Sequence, residues 1–229
     1  MSQVERSSYH WAGGIARRIV HIRERRRVLR DTFDVRQQFS AIEESCIPSY
    51  CHANWFAAYA AWWRLFTAAE LARLHAAPGR ALDFGAGPGE LHCLIGANWR
   101  YDAVEADAPL ARTLKSLVPD ARLIGFDDIE AGVYDVVFAL DSLEHNDEPE
   151  PLIERLRYAL RPRGVLVLSG PTENLLYRMG RTVAGFRGGY HRTTIGHLNT
   201  LVEKRLSLIQ LVPGPWRLPL FLVSAWRAR

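Results

Sequence analysis

Residues 81–91 read ALDFGAGPGEL, an apolar run carrying one acid that passes straight into three glycines within five positions. Glycine loses more backbone entropy on folding than any other residue, so such a cluster marks positive φ angles or the close approach of a ligand to the backbone. A tight turn alone needs fewer glycines. The stretch therefore predicts a short buried strand, a ligand-facing turn through Gly85, Ala86, Gly87 and Gly89, and a helix over ELHCLIGA.

From residue 80 the chain alternates strand and helix patterns. ALDF, YDAVEAD, ARLIGF, YDVVFAL and GVLVLSG read as strands, with helices over PLARTLKSLV and from Pro149 to Leu160 between them. Strands separated by helices of this length imply right-handed crossovers and a parallel sheet buried on both faces. After a helix near Ile195 to Lys204, RLSLIQLV and LPLFLVSAW flank a short Pro/Gly loop and predict a closing antiparallel hairpin. The expectation is an α/β chain with a Rossmann-like, seven-stranded, mostly parallel sheet.

Residues 1–78 follow a different pattern. Ile15, Ile19, Ile22, Leu29 and Phe33 recur at helical spacing among arginines, although Arg26 interrupts the stripe. A second helix carries Trp55, Tyr59, Trp62 and Phe66 on one face and stops at Pro78-Gly79. We therefore expect an N-terminal helical extension over 1–78 and a catalytic domain over 79–229. The net charge of +4 belongs to the first segment, because residues 1–40 hold nine Arg and no Lys against four acids. Such a helix can lie on an anionic membrane or pack over the rest of the chain. Nucleic acid is disfavoured, since the arginines are not interleaved with stacking aromatics. Three cysteines without paired spacing fit a reducing compartment and match no zinc pattern, so a cytoplasmic, membrane-peripheral protein without a metal is expected.

A dinucleotide fold wants G-x-G-x-x-G, whereas Glu90 and Leu91 follow Gly89 here. Asp83, two residues before the first glycine, suits an ammonium group better than a pyrophosphate. With that acid, the glycine stretch resembles motif I of the class I S-adenosylmethionine (SAM)-dependent methyltransferases. By this resemblance the turn lies against the methionyl part of SAM, and Glu105, twenty residues after Gly85, accepts the ribose hydroxyls. Asp107 beside it is an alternative, or the N-cap of the next helix. The resemblance also implies that Asp127 or Asp128 meets the adenine amino group, and that YDVVFALDSLEH (134–145) closes over the cofactor through Asp141. RYALRPRGVLVLSGP matches the family's approach to its substrate loop. Asp141, Glu144 and His145 are similar in spacing to ubiquinone-biosynthesis O-methyltransferases, some of which use a divalent metal. Glu144-His145 is common in the wider superfamily without metal, and none is assigned here.

Methyl transfer to a hydroxyl needs a proton removed, which a histidine does well near neutral pH. His145 after the fourth strand and His191 in FRGGYHRTT are the candidates, with Tyr177, Arg178, Arg181 and Arg187 in a proposed lid over 171–191. The implied function is O-methylation of a small-molecule, lipid-linked or saccharide hydroxyl. A non-catalytic SAM-fold module and an NAD-dependent oxidoreductase are the alternatives.

Overall fold

The computed structural model describes residues 14–33, 45–174, 177, 192–216 and 218–228. The lid residues Arg178, Arg181, Arg187 and His191 lie outside the described residues. The chain begins with α1 (Gly14–Thr32), a short α2 (Ile47–Tyr50) and a long α3 (Trp55–His75). Then follow β1 (Arg80–Phe84), α4 (Glu90–Ile95), β2 (Arg100–Val104), α5 (Ala108–Leu117), β3 (Arg122–Leu123) and β4 (Tyr134–Leu140). A 3₁₀ turn at Leu143–His145 leads to α6 (Pro149–Ala159), β5 (Leu160–Pro171), α7 (Ile195–Glu203), β6 (Leu206–Gly214) and β7 (Phe221–Ala228).

The strands form one seven-stranded sheet in the order β3-β2-β1-β4-β5-β7-β6. Strands β1 to β5 pair in parallel, and β7 inserts antiparallel between β5 and β6. The closing hairpin and the parallel core are thus as the patterning predicts. The chain order reverses between β1 and β4, and ligands of open α/β sheets bind outside the strand carboxyl ends at such a switch point.

Two expectations change. ARLIGF contributes only Arg122 and Leu123 as strand. Both residues are exposed on the sheet edge, with partners on one side only, so little burial holds a longer strand there. The aromatic helix α3 is not one-sided either, because every residue from Ala58 to Ala72 is buried. It packs on α4, β5 and β7, and a helix buried all round needs no amphipathic stripe. Asn54 caps it, accepting hydrogen bonds from the amides of Phe56 (2.9 Å) and Ala57 (3.4 Å).

Helix α1 turns much of its charge inward. Arg26 is buried and donates to the carbonyls of Cys51 and His52, Arg30 donates to Cys51 O (2.8 Å), and Arg18 pairs with Glu70 at 3.6 Å. Ile22 and Leu29 are fully buried beneath it. No helix of the described residues is long and apolar enough to cross a membrane.

Candidate active site

A cleft of about 470 Å³ opens where β1, β2 and β4 end, walled on its other side by Ser45, Cys46, Tyr50 and Leu65. Its floor is the glycine turn. Gly85, Gly87 and Gly89 all take positive φ (75°, 55° and 86°), the region L side chains avoid. At Gly85 an added Cβ would lie 2.6 Å from Ser142 Cβ, so the turn is pressed against the segment after β4. At Gly87 an added Cβ would meet nothing within 4 Å, so this position faces open space in the cleft.

Glu105 directly follows β2 and ties the two halves together. Its Oε2 accepts from the Gly87 amide at 2.7 Å and its Oε1 from the Asp107 amide at 2.9 Å. Each oxygen keeps a second lone pair for hydroxyl donors, and the residue is only half-buried. Asp107 also lines the cleft, but its side chain caps α5 by accepting from Leu110 N at 2.8 Å. Asp83 lies beneath the turn, 3% exposed, and accepts a hydrogen bond from Tyr101 Oη. Burial pushes its carboxyl up to about 7, against the opposing effect of Tyr101, and the charge of Glu105 pushes the same way.

Beyond the glycine turn the wall is built by residues brought from far away in sequence. Glu90, in the first turn of α4, is 2% exposed and is gripped by both ends of the Arg25 guanidinium from α1, at 2.8 Å each. Burial still holds the Glu90 carboxyl above its ordinary range, with Arg25 pulling it down. Arg64, buried in the middle of α3, pairs with Asp141 and lies 4.5 Å over the ring of Phe221. Asp141 itself has φ 51° and accepts from Ser169 Oγ at 3.2 Å. Tyr177 meets Phe221 edge-on, with ring centroids 5.3 Å apart. Cys46 is pushed up to about 12 by burial, so it stands as a neutral thiol.

The structure thus brings Asp83, Gly85, Ala86, Gly87, Glu105, Asp141 and His145 to one cleft, whereas Gly89 lies outside its lining as the left-handed N-cap of α4. Asp127 and Asp128 are exposed and outside the cleft lining. Asp128 accepts from the Gly125 amide (3.2 Å) and Asp127 O from Arg155 (2.8 Å). Among the described residues, no three His, Cys, Asp or Glu side chains converge as a metal site. Sequence reading missed Arg25, Arg64, Tyr50 and Glu90 as parts of this site. Arg64 left the clearest signal, a lone arginine inside the run WFAAYAAWWRLFTAA.

Comparison with known proteins adds a family. A family model described as a methyltransferase domain matches residues 57–208. No curated protein matches the chain. Among solved structures, magnesium protoporphyrin IX methyltransferase from Synechocystis PCC 6803 with bound S-adenosylhomocysteine (SAH) superposes with a TM-score of 0.62 at 16% identity. That match covers 85% of this chain and 98% of the other. The N-methyltransferase NodS from Bradyrhizobium japonicum WM9, in complex with SAH, has a TM-score of 0.59 at 13% identity over 73% and 87% of the two chains. A protein from Pyrococcus horikoshii OT3, PH0226, has a TM-score of 0.62 at 13% identity over 83% and 99%. Identities this low carry the fold alone.

Proposed function

The chain belongs to the methyltransferase-domain family, and we propose that it moves the methyl group of SAM to a hydroxyl of a small-molecule, lipid-linked or saccharide acceptor. The observation that carries the cofactor reading is the Glu105–Gly87 hydrogen bond. It fixes a half-exposed carboxylate beside a left-handed glycine that faces open cleft, a fit to a nucleoside carrying a zwitterionic tail. Glu105 would accept the ribose hydroxyls, Gly85 to Gly87 would leave room along the backbone for the methionyl chain, and Asp83 would balance its amino group.

SAM supplies a methyl on a positively charged sulfur that leaves as a neutral thioether. What remains for the protein is alignment, exclusion of water and removal of the acceptor's proton. Arg64 holds Asp141 in its left-handed conformation at the end of β4, and Arg25 fastens α1 over Glu90. Together they close the cleft from the helical side. Tyr50 and Cys46 supply a neutral stretch of wall, in keeping with an uncharged hydroxyl donor rather than a phosphate.

Methyl-labelled SAM incubated with the protein and fractionated small-molecule and lipid extracts tests the acceptor class. The expected product carries its label on oxygen. Label recovered on nitrogen or carbon would overturn the hydroxyl assignment and leave the methyltransferase in place.

A further inference from the structure

Glu144 sits in the 3₁₀ turn Leu143–His145, 1% exposed, with no hydrogen-bond partner on either carboxylate oxygen among the described residues. Ser142 Oγ in the same segment is also buried without a partner among the described residues. A buried polar group left unsatisfied is costly, and an unpaired charge more so. Ser142 lines the cleft and Glu144 is buried two positions further along the same turn, outside the lining, and two such groups together point to a ligand that completes them.

The turn is held rigidly. Glu144 O accepts from the amides of Arg192 (2.8 Å) and Thr193 (3.3 Å), and Asn146 donates to Ser142 O at 2.9 Å. It is also in the right place, because Asp141, Ser142 and His145 line the cleft, and Ser142 abuts the glycine turn. The charged and titratable groups around Glu144 come from four sides. Asp141 at the end of β4 and Glu173 beyond β5 oppose its ionisation, its own backbone amide and Arg64 from α3 favour it, and Cys46 lies before α2. Arg64 is already committed to Asp141. Burial, followed by Asp141, keeps Glu144 well above the usual carboxylate range, against the pull of Arg64.

Resting on the SAM reading of this cleft, we propose that Glu144 is the group that receives the acceptor's proton, ionised by the donor's positive charge and protonated again as that charge disappears. In the step, the acceptor oxygen forms a bond to the methyl carbon, and the carbon–sulfur bond breaks with its electron pair going to sulfur. The hydroxyl proton moves to the Glu144 carboxylate. A sulfonium cation, a neutral alcohol and the Glu144 carboxylate give a thioether, a methyl ether and the Glu144 carboxylic acid, so atoms and charge balance. Glu144 later returns its proton to solvent. Ser142 Oγ is placed to orient the acceptor hydroxyl toward it.

The test needs no acceptor. Sinefungin carries an ammonium group where SAM has its methylated sulfur, whereas SAH is neutral there, and both share the methionyl amino group that faces Asp83. Proton release on binding is measured near pH 7 by calorimetry in buffers of different ionisation heat. Sinefungin should release up to one proton more than SAH from wild-type protein. That excess should vanish in Glu144→Gln, persist in Glu144→Asp and persist in His145→Gln, with SAH binding showing that each variant is folded. Equal release by the two ligands in wild type overturns the proposal, as does an excess that survives Glu144→Gln or disappears in His145→Gln. If wild type binds neither ligand, the cofactor reading itself has failed, which is a separate result.

Discussion

Asp83 shows how one buried acid can report on both folding and cofactor. Its carboxyl titrates near 7 in the fold because burial disfavours its charge, against an ordinary value of 3.8. The native state therefore binds more protons than the unfolded chain between those values, and stability falls as pH rises from about 4 to about 7. Moving the carboxyl from 3.8 to about 7 corresponds to at most about 4 kcal/mol. Asp83→Asn should lose most of this pH dependence in chemical denaturation measured at pH 5 and pH 8. A ligand ammonium beside Asp83 favours its ionised form, so SAH affinity should tighten from pH 6 to pH 8 in wild type and flatten in Asp83→Asn. Gly87→Val addresses the neighbouring position. The branched side chain resists φ near 55° and fills the space into which this glycine opens, so SAH affinity should drop at least about tenfold in protein that still unfolds cooperatively at low temperature. Unchanged affinity in folded Gly87→Val would mean the turn does not face the ligand. Glycines and Glu105 were legible in the sequence because their constraints are local, set by φ angles and by one strand-to-helix turn. Glu144 as a proton acceptor was not, since burial without a partner is a property of the assembled neighbourhood, and a histidine stands next to it in the sequence.

Among the elements, α1 departs furthest from its sequence pattern. The arginine-rich stripe reads as a surface for anions, yet Arg18, Arg25, Arg26 and Arg30 are spent on Glu70, Glu90 and the carbonyls around Cys51. Composition could place the charge on a helix, but it could not say which way the helix turns, because Glu90 lies 65 positions from Arg25. Arg25→Ala leaves a nearly fully buried carboxylate without its cation, a change that typically costs about 3 kcal/mol. Arg25→Ala should therefore lower the melting temperature more than Glu90→Gln, and it should loosen SAH binding because Glu90 lines the cleft. Equal melting temperatures would show that the pair does not hold α1 down. Contact with an anionic membrane, if α1 makes it, falls to residues such as Arg23 and Arg27, which are exposed. At about 1 kcal/mol per basic residue near such a surface, reversing both to Glu should reduce co-sedimentation with phosphatidylserine vesicles. Sedimentation equal to wild type would leave α1 as a clamp alone. Strands β1, β2, β4 and β5 were readable from their apolar runs, whereas β3 shrank because an edge position buries too little of ARLIGF.

At the scale of the molecule, the order β3-β2-β1-β4-β5-β7-β6 places the carboxyl ends of β1, β2 and β4 around one cleft, Ser45, Cys46, Tyr50 and Leu65 wall its far side, and α1 is tied to the lining residue Glu90 through Arg25. The family match begins at residue 57, inside α3, so this helix packs with the sheet as part of the matched region. A chain built this way should be stabilised by the cofactor product as one cooperative unit. At a ligand concentration about 100 times the dissociation constant, single-site linkage gives roughly 2.7 kcal/mol. The most direct measurement is the melting temperature of the full chain with increasing SAH, with NAD as the control. The account predicts an upward shift that grows with the logarithm of SAH concentration past saturation and is absent with NAD. No shift at any SAH concentration, or a shift with NAD in its place, would contradict it.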